Sequence, residues 1–531
     1  MDPRRTALID EHLAAGDIAR AAALAGEALT AGEINPMYLN LAAWACEEAC
    51  DFAGARALLH RALLLSPGDP SITTAIGTAL RKEGRLAEAI EAIEATLARA
   101  PDYAVAWIER GFALEAAGSF KAAAESFAKT IALDPAMAPA HAGLAWIAAI
   151  EGDADRVAGH AAQALRIEPG NVTATYAIAR SEIERGLYAP ARLRLEALLA
   201  RTDIAPPKRM IALGLLGDAL DRLDAPDEAF AAYLQANALF AATANPAEPS
   251  HRSFVESITR AVDRFAPAFR PHHPEPEPDG ARGHVFVLGY PRSGTTLVET
   301  ILASAPAVDA LEETATLIDT ELDFLVDPDR LEALFALDAA ATTALRAAYW
   351  RRVRAAGVEP ANSVFVDMDP LKSLKLPLIA KLFPDARVVI VRRDPRDIVW
   401  SCFRTNFATT SAAFDYVTLE RAARHYDAVM RLTQTCLDRL PLAVHVVRHE
   451  ALVRDFDAVT QQLCAFTGLP WSPELRRFDR TARQRGVSTA SASQVRQGLF
   501  DGNGRWRRHA AQFEAVAPIL QPWVDRFGYT P

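Results

Sequence analysis

From residue 283 onward, short apolar, β-branched runs alternate with longer stretches that carry apolar residues at helical spacing. The runs are Val285–Leu288, Ser363–Val366, Ala386–Val391 and Ala443–Val447. Strands separated by helices predict a parallel sheet flanked on its faces, with ligands taken at the carboxyl ends of the strands. The first half reads differently. Segments such as Leu86–Leu97 place alanine and leucine on one face of a helix.

A second pattern lies over the first half. Pro67, Pro101, Pro135 and Pro169 recur every 34 residues, as do Gly84, Gly118, Gly152 and Gly186. Gly77, Gly111, Ala145 and Ala179 keep a small residue at the same interval. That period is the one of the tetratricopeptide repeat (TPR), a helix–turn–helix unit whose copies stack into a solenoid with a concave groove. The small residue lets the second helix of a unit pack closely, the later Gly ends the first helix at positive φ, and the Pro closes the second. Degenerate units cover 1–66, with Gly16 in a comparable place, and a last unit around 208–241 keeps Gly217. The expected array is 1–245, with the groove binding a peptide or protein or the array serving as a spacer. Residues 246–282 read as a linker helix and a stiff acidic Pro-rich stretch over 271–280, and 283–531 as the second domain.

Composition narrows the choices. A chain of 531 residues is too long for one core. The net charge of −10 argues against nonspecific nucleic-acid binding. The charge is uneven, however: residues 476–508 hold nine arginines and two acids. No signal-peptide core or long apolar run appears, so a cytoplasmic protein without a membrane span is expected. Five scattered cysteines fit reduced thiols, with Cys46 and Cys50 expected to be buried. No metal-ligand grouping is visible, and the adjacent His272 and His273 read as solvated. Oligomeric state leaves no trace in the sequence.

The chemistry centres on Gly289-Tyr-Pro-Arg-Ser-Gly-Thr-Thr296, between the Val285–Leu288 run and a helix start at Leu297–Leu302. Strand, glycine-bounded loop and helix N-terminus make an anion cradle. Thr295 stands where a Walker A loop requires Lys, which argues against a nucleoside triphosphate and a kinase.

The loop resembles the 5′-phosphosulfate loop of sulfotransferases, whose common form is Pro-Arg/Lys-Ser-Gly-Thr-Thr. With the repeats before it, the chain is similar to bacterial TPR-linked sulfotransferases and to tyrosylprotein sulfotransferases. The resemblance implies α + α/β architecture: a TPR α-solenoid, then a P-loop-like parallel α/β domain. The implied co-substrate is 3′-phosphoadenosine 5′-phosphosulfate (PAPS), with no metal, and the implied acceptor is a hydroxyl. Pro291, Arg292, Ser293, Gly294, Thr295 and Thr296 would hold the 5′-phosphosulfate. Arg393, at a strand end, and Ser401, eight residues on, match the family's 3′-phosphate pair. Arg496 and Gly498, with Trp506 in Gly502-Asn-Gly-Arg-Trp506, resemble the segment that closes over the 3′-phosphate and adenine. Ser491 corresponds to a serine near that segment, and His449 stands where many relatives have Tyr. Glu313 falls on the family's catalytic Glu, the general base. At Asp367-Met-Asp-Pro370 the family usually carries Lys where this chain has Met368. Either Lys372 or Arg292 supplies that charge, or the chain is an impaired donor-binding TPR scaffold.

Overall fold

The computed structural model describes residues 3–244, 250–270, 281–407, 410–485, 495, 498–499 and 502–529. It divides into two compact units, Met1–Ala200 and Arg201–Pro531. Ser491, Arg496 and the 271–280 stretch, including His272 and His273, lie outside the described residues. Among the described residues no helix is long and apolar enough to cross a membrane.

The first unit is a run of paired helices, from Pro3–Ala14 with Ile18–Thr30 to Val172–Glu184 with Tyr188–Leu199. The small-residue series does what its spacing implies. A Cβ on Gly111 would meet Phe127 Cε1 at 2.4 Å, so the two helices of that pair touch where only hydrogen fits. Gly84, Gly118, Gly152 and Gly186 all sit at positive φ after the first helix of a pair. The position 34 residues before Gly84 is Cys50, which adopts φ 59° at the end of the Pro36–Glu48 helix. This corrects one expectation. Cys50 is exposed rather than buried, because it occupies the turn position that glycine holds elsewhere, and Cys46 is half-buried.

In the second unit, helices Pro206–Arg222 and Pro226–Ala241 form the last repeat-like pair, with Gly217 facing Tyr233. Phe230 stacks on Phe403 at 5.0 Å and Asn237 Nδ2 donates to the Phe403 carbonyl at 2.9 Å. Those contacts place the pair with the α/β unit, whereas its sequence period placed it with the repeats. The expected linker helix, His251–Phe265, packs Val255, Ile258 and Val262 fully buried into the same core.

The sheet has five parallel strands in the order β2-β3-β1-β4-β5: β1 Gly283–Leu288, β2 Val308–Glu312, β3 Val364–Met368, β4 Arg387–Arg392 and β5 Ala443–Arg448. Four match the apolar runs. The edge strand β2 is new; its Val-Asp-Ala-Leu-Glu pattern is short and only Leu311 is buried. Because β1 is followed by a crossover to one side and β4 by one to the other, the β1/β4 crevice is the topological switch point. Val285, Val287, Val366 and Met368 face the Thr295–Ala303 helix, while Phe286, Leu288 and Phe365 face the opposite core. This alternation is the period of two inherent to a strand.

Replacing Cys50 by Gly relieves a side chain held in the left-handed region. The expected gain is about 1 kcal/mol, read as a higher midpoint in urea unfolding of the full chain. An unchanged or lower midpoint contradicts this reading of the turn.

Candidate active site

Each strand delivers one polar residue to the carboxyl edge of the sheet. Arg292 follows β1, Glu313 follows β2, Asp369 follows β3, Arg393 follows β4 and His449 follows β5. A cleft opens there, lined by Arg292, Gly294, Leu297, Arg393, Asp397, Trp400, Ser401, Arg404, His449, Val495, Gly498, Gly502 and Arg505.

The loop after β1 is wound tightly. The Ser293 N–H donates to the Tyr290 carbonyl at 3.0 Å, and Pro291 leads into Arg292, which has φ 70°. Gly294 caps the Thr295–Ala303 helix at φ 106° and no side chain caps that helix end. Its first-turn N–H groups and the positive end of its dipole therefore face the cleft. Thr295 and Thr296 are buried in that turn. A Cβ on Gly294 would lie 2.7 Å from His449 Nδ1, so glycine is required by space as well as by backbone angle.

Arg292 and Ser401 meet directly, Arg292 Nε donating to Ser401 Oγ at 3.0 Å. Ser401 lies on the Pro395–Arg404 helix, whose start is fixed by Asp394 accepting from the Arg396 N–H at 2.9 Å. Arg393 sends Nη2 to the Gly502 carbonyl at 2.6 Å and Nη1 towards the Arg292 carbonyl at 3.4 Å, while its buried Nε has no hydrogen-bond partner among the described residues. Among the described residues His449 Nδ1 is likewise buried without a hydrogen-bond partner. Burial, with Arg393 nearby, pushes His449 down to about 3, so its ring is neutral. Desolvation and the repulsion of Arg404 and Arg393 push Arg292 down to about 10.

Glu313 is held by its N–H donating to the Met368 carbonyl at 2.7 Å, with φ 42°. Glu313 is exposed to solvent. The surrounding protein nevertheless desolvates it and, with Asp369 and Glu312, pushes it up to about 7, Arg292 pulling the other way.

Of the residues expected from sequence, Arg292, Gly294, Arg393, Ser401, His449 and Gly498 line the cleft together. Glu313, at the end of β2, is not part of that lining. Lys372 does not join them either. It is fully buried, paired with Asp367 and bonded to Thr316 Oγ1 at 3.1 Å, on the opposite face of β3 from Met368. A strand alternates its faces, so Lys372 cannot stand in for a side chain at 368. Trp506 is also outside the lining, covered by the Arg396 guanidinium at 4.1 Å from its ring.

Sequence reasoning missed Arg404, Arg505, Asp397 and Trp400. Arg404 pairs with Asp218 Oδ1 at 2.7 Å, from the Pro206–Arg222 helix. Burial works against its charge, yet Asp218 and Tyr233 outweigh burial and raise it above the usual arginine range. Asp397 accepts from the Gly504 N–H at 2.6 Å and so ties the 502–506 turn to the cleft wall. Arg505 was visible only as one of many arginines, and nothing local marked Arg404.

With this geometry in view, comparisons with known proteins agree on the class. The model of the sulfotransferase family matches residues 284–473, and that of the tetratricopeptide repeat matches 6–70, 74–138 and 176–246. The chain therefore carries tetratricopeptide repeats and a sulfotransferase-family domain. It is 27% identical over 437 residues to an uncharacterized protein of Aquifex aeolicus, covering 78% of this chain and 53% of that one. It is 25% identical over 261 residues to protein-tyrosine sulfotransferase 1 of Danio rerio, covering 46% of this chain and 72% of that one. The chain thus spans about half the length of the first of these relatives. Among solved structures, a TPR protein of Thermus thermophilus aligns at TM-score 0.31 and 19% identity, covering 34% of this chain and 98% of its own. Human IFIT1 aligns at 0.36 and 19%, covering 47% and 60%.

Gly294→Ala is expected to fold but to lose affinity for inorganic sulfate by at least about tenfold, since the new methyl group displaces His449 and strains the cap. Calorimetric titration of both proteins checks this; equal affinities would remove Gly294 from the anion cradle.

Proposed function

We propose that the second unit transfers a sulfuryl group from PAPS to a hydroxyl on a peptide or protein, the acceptor being recruited with help from the repeats. TPR arrays in general mediate protein–protein interaction, and likeness to a protein-tyrosine sulfotransferase favours a peptide acceptor. One observation carries the donor assignment. Arg292, Ser401 and Arg393 converge on one cleft in which Arg393 Nε and His449 Nδ1 are buried without partners among the described residues. Buried polar atoms left unpaired are costly, and a ligand bearing two anionic groups and a purine offers them acceptors and a donor.

PAPS supplies an activated sulfuryl group on a good phosphate leaving group. The chain's own residues do the rest. The loop over 289–296 grips the 5′ end through backbone N–H groups, and Arg393 with Ser401 holds the 3′-phosphate. A planar guanidinium is suited to two parallel bonds to such an anion. Arg292 faces the cleft and neutralises charge at the transferring group, the task for which position 368 provides only a fully buried methionine. Glu313, exposed at the end of β2 and with its pKa pushed up to about 7, takes the acceptor's proton. Preorganised positive charge and in-line positioning are the main demands of this chemistry.

The catalytic form of Glu313 is the carboxylate. Below about 7 it is protonated and idle, so kcat for transfer from labelled PAPS should rise with pH through about 7 and then level off. Glu313→Gln should lower kcat on the order of 10²–10⁴-fold and abolish that limb. A flat profile, or a Gln variant as active as the parent, excludes Glu313 as the base. Arg393→Ala should weaken adenosine 3′,5′-bisphosphate binding at least about tenfold, the worth of one charged hydrogen bond; unchanged binding would move the 3′-phosphate elsewhere.

The buried Met368 also favours a second reading, a donor-binding TPR scaffold without transfer activity. A parent protein that binds donor but transfers nothing, and a Met368→Lys variant that does transfer, would select it.

A further inference from the structure

Beside Tyr290 of the 289–296 loop, three ligand-type side chains from separate segments meet. His251 begins the His251–Phe265 helix, Asp415 lies in the Ala413–Tyr416 turn, and His425 lies on the Leu419–Arg439 helix. One ligand atom from each lies within 4.8 Å of the others. We propose that His251, Asp415 and His425 bind one divalent transition-metal ion, with Zn²⁺ the best-matched species and a water completing the coordination.

Two imidazole nitrogens and one carboxylate oxygen are the donor types that Zn²⁺, Co²⁺ and Ni²⁺ accept, and three protein ligands plus water is a common zinc arrangement. His425 is fully buried and its Nδ1 lies 2.6 Å from Tyr290 Oη. With Nδ1–H donating to that oxygen, Nε2 carries its lone pair towards His251. An outer hydrogen bond of this kind orients a metal-bound histidine. Asp415 is nearly buried and is oriented by the Arg252 N–H donating to Oδ2 at 3.0 Å, with Arg421 at 3.4 Å from Oδ1. His251 is half-buried, which leaves an entry path from solvent.

Without an ion, His251 Nδ1 and His425 Nε2 share a hydrogen bond of 2.8 Å. Metal–nitrogen bonds of about 2.0–2.1 Å at a tetrahedral angle set the two atoms about 3.3 Å apart. Rotation of the half-buried His251 supplies that half ångström. Its proton moves from Nδ1 to Nε2, so binding releases no net proton. The ion would then clamp two helices to Tyr290, the second residue of the 289–296 loop, and stiffen the loop. This inference does not depend on the identity of the donor or acceptor.

The test uses the full chain without an affinity tag, stripped with chelator and titrated with Zn²⁺ by calorimetry and with Co²⁺ by visible absorption. One equivalent should bind, Co²⁺ should show the d–d bands of a low-coordinate site, and the melting temperature should rise with Zn²⁺. His251→Ala, at the half-buried ligand, should weaken binding at least about tenfold while circular dichroism stays that of the parent. Asp415→Asn gives a second arm should the buried His425 tolerate no change. His272→Ala/His273→Ala should bind as the parent does. Failure to bind a stoichiometric ion, binding indifferent to His251→Ala and Asp415→Asn, or binding lost only in the His272/His273 variant would each overturn the site.

Discussion

The guanidinium of Arg292 is the constraint around which the second unit is arranged. An arginine cannot shed its charge near neutral pH, yet this one is desolvated at the switch point of a parallel sheet and repelled by Arg404 and Arg393. Ser401 accepts its Nε–H, and Glu313 attracts it from the end of β2. Arg292 at φ 70° and Gly294 at φ 106° shape the tight turn that leads into the Thr295–Ala303 helix.

The sheet converts that local demand into a site. Five parallel strands end at one edge, so residues far apart in the chain arrive side by side without long side chains having to reach. Alternation along β3 then sorts them. Asp367 faces the core in which Tyr349 Oη and Thr316 Oγ1 each donate to it at 2.8 Å, and it engages Lys372 there. Met368 faces the other way, into the apolar layer beneath the Thr295–Ala303 helix. A lysine four residues after a methionine reads as a substitute for it in one dimension. On a strand that leads into a turn, the two belong to different sides of the molecule.

The last repeat-like pair of helices shows how a periodic element becomes part of an active-site wall. Asp218 on the Pro206–Arg222 helix holds Arg404, and Asp221 accepts from His509 Nε2 at 3.1 Å. His509 in turn stacks on Trp400 at 3.7 Å between centroids. These contacts join the pair to the cleft by charge and aromatic packing, where the earlier pairs are held by alanine and leucine cores.

The chain's own order of residues was enough for the repeats, four of the five strands and the anion loop. Each is written in a local period or in a run of neighbouring residues, and local backbone preference acts over the same distance. It also carried Arg393, Ser401 and His449 to the cleft, each close behind a strand end, and Gly498 through its place in a short motif. Only the tertiary structure decided the exposed place of Cys50, the half-exposed edge strand β2 and the opposite facings of Met368 and Lys372. The same holds for the Asp218–Arg404 pair and for the meeting of His251, Asp415 and His425. Those outcomes depend on which distant segments pack together, and a sequence of side chains records spacing along the chain but not the path by which the chain returns.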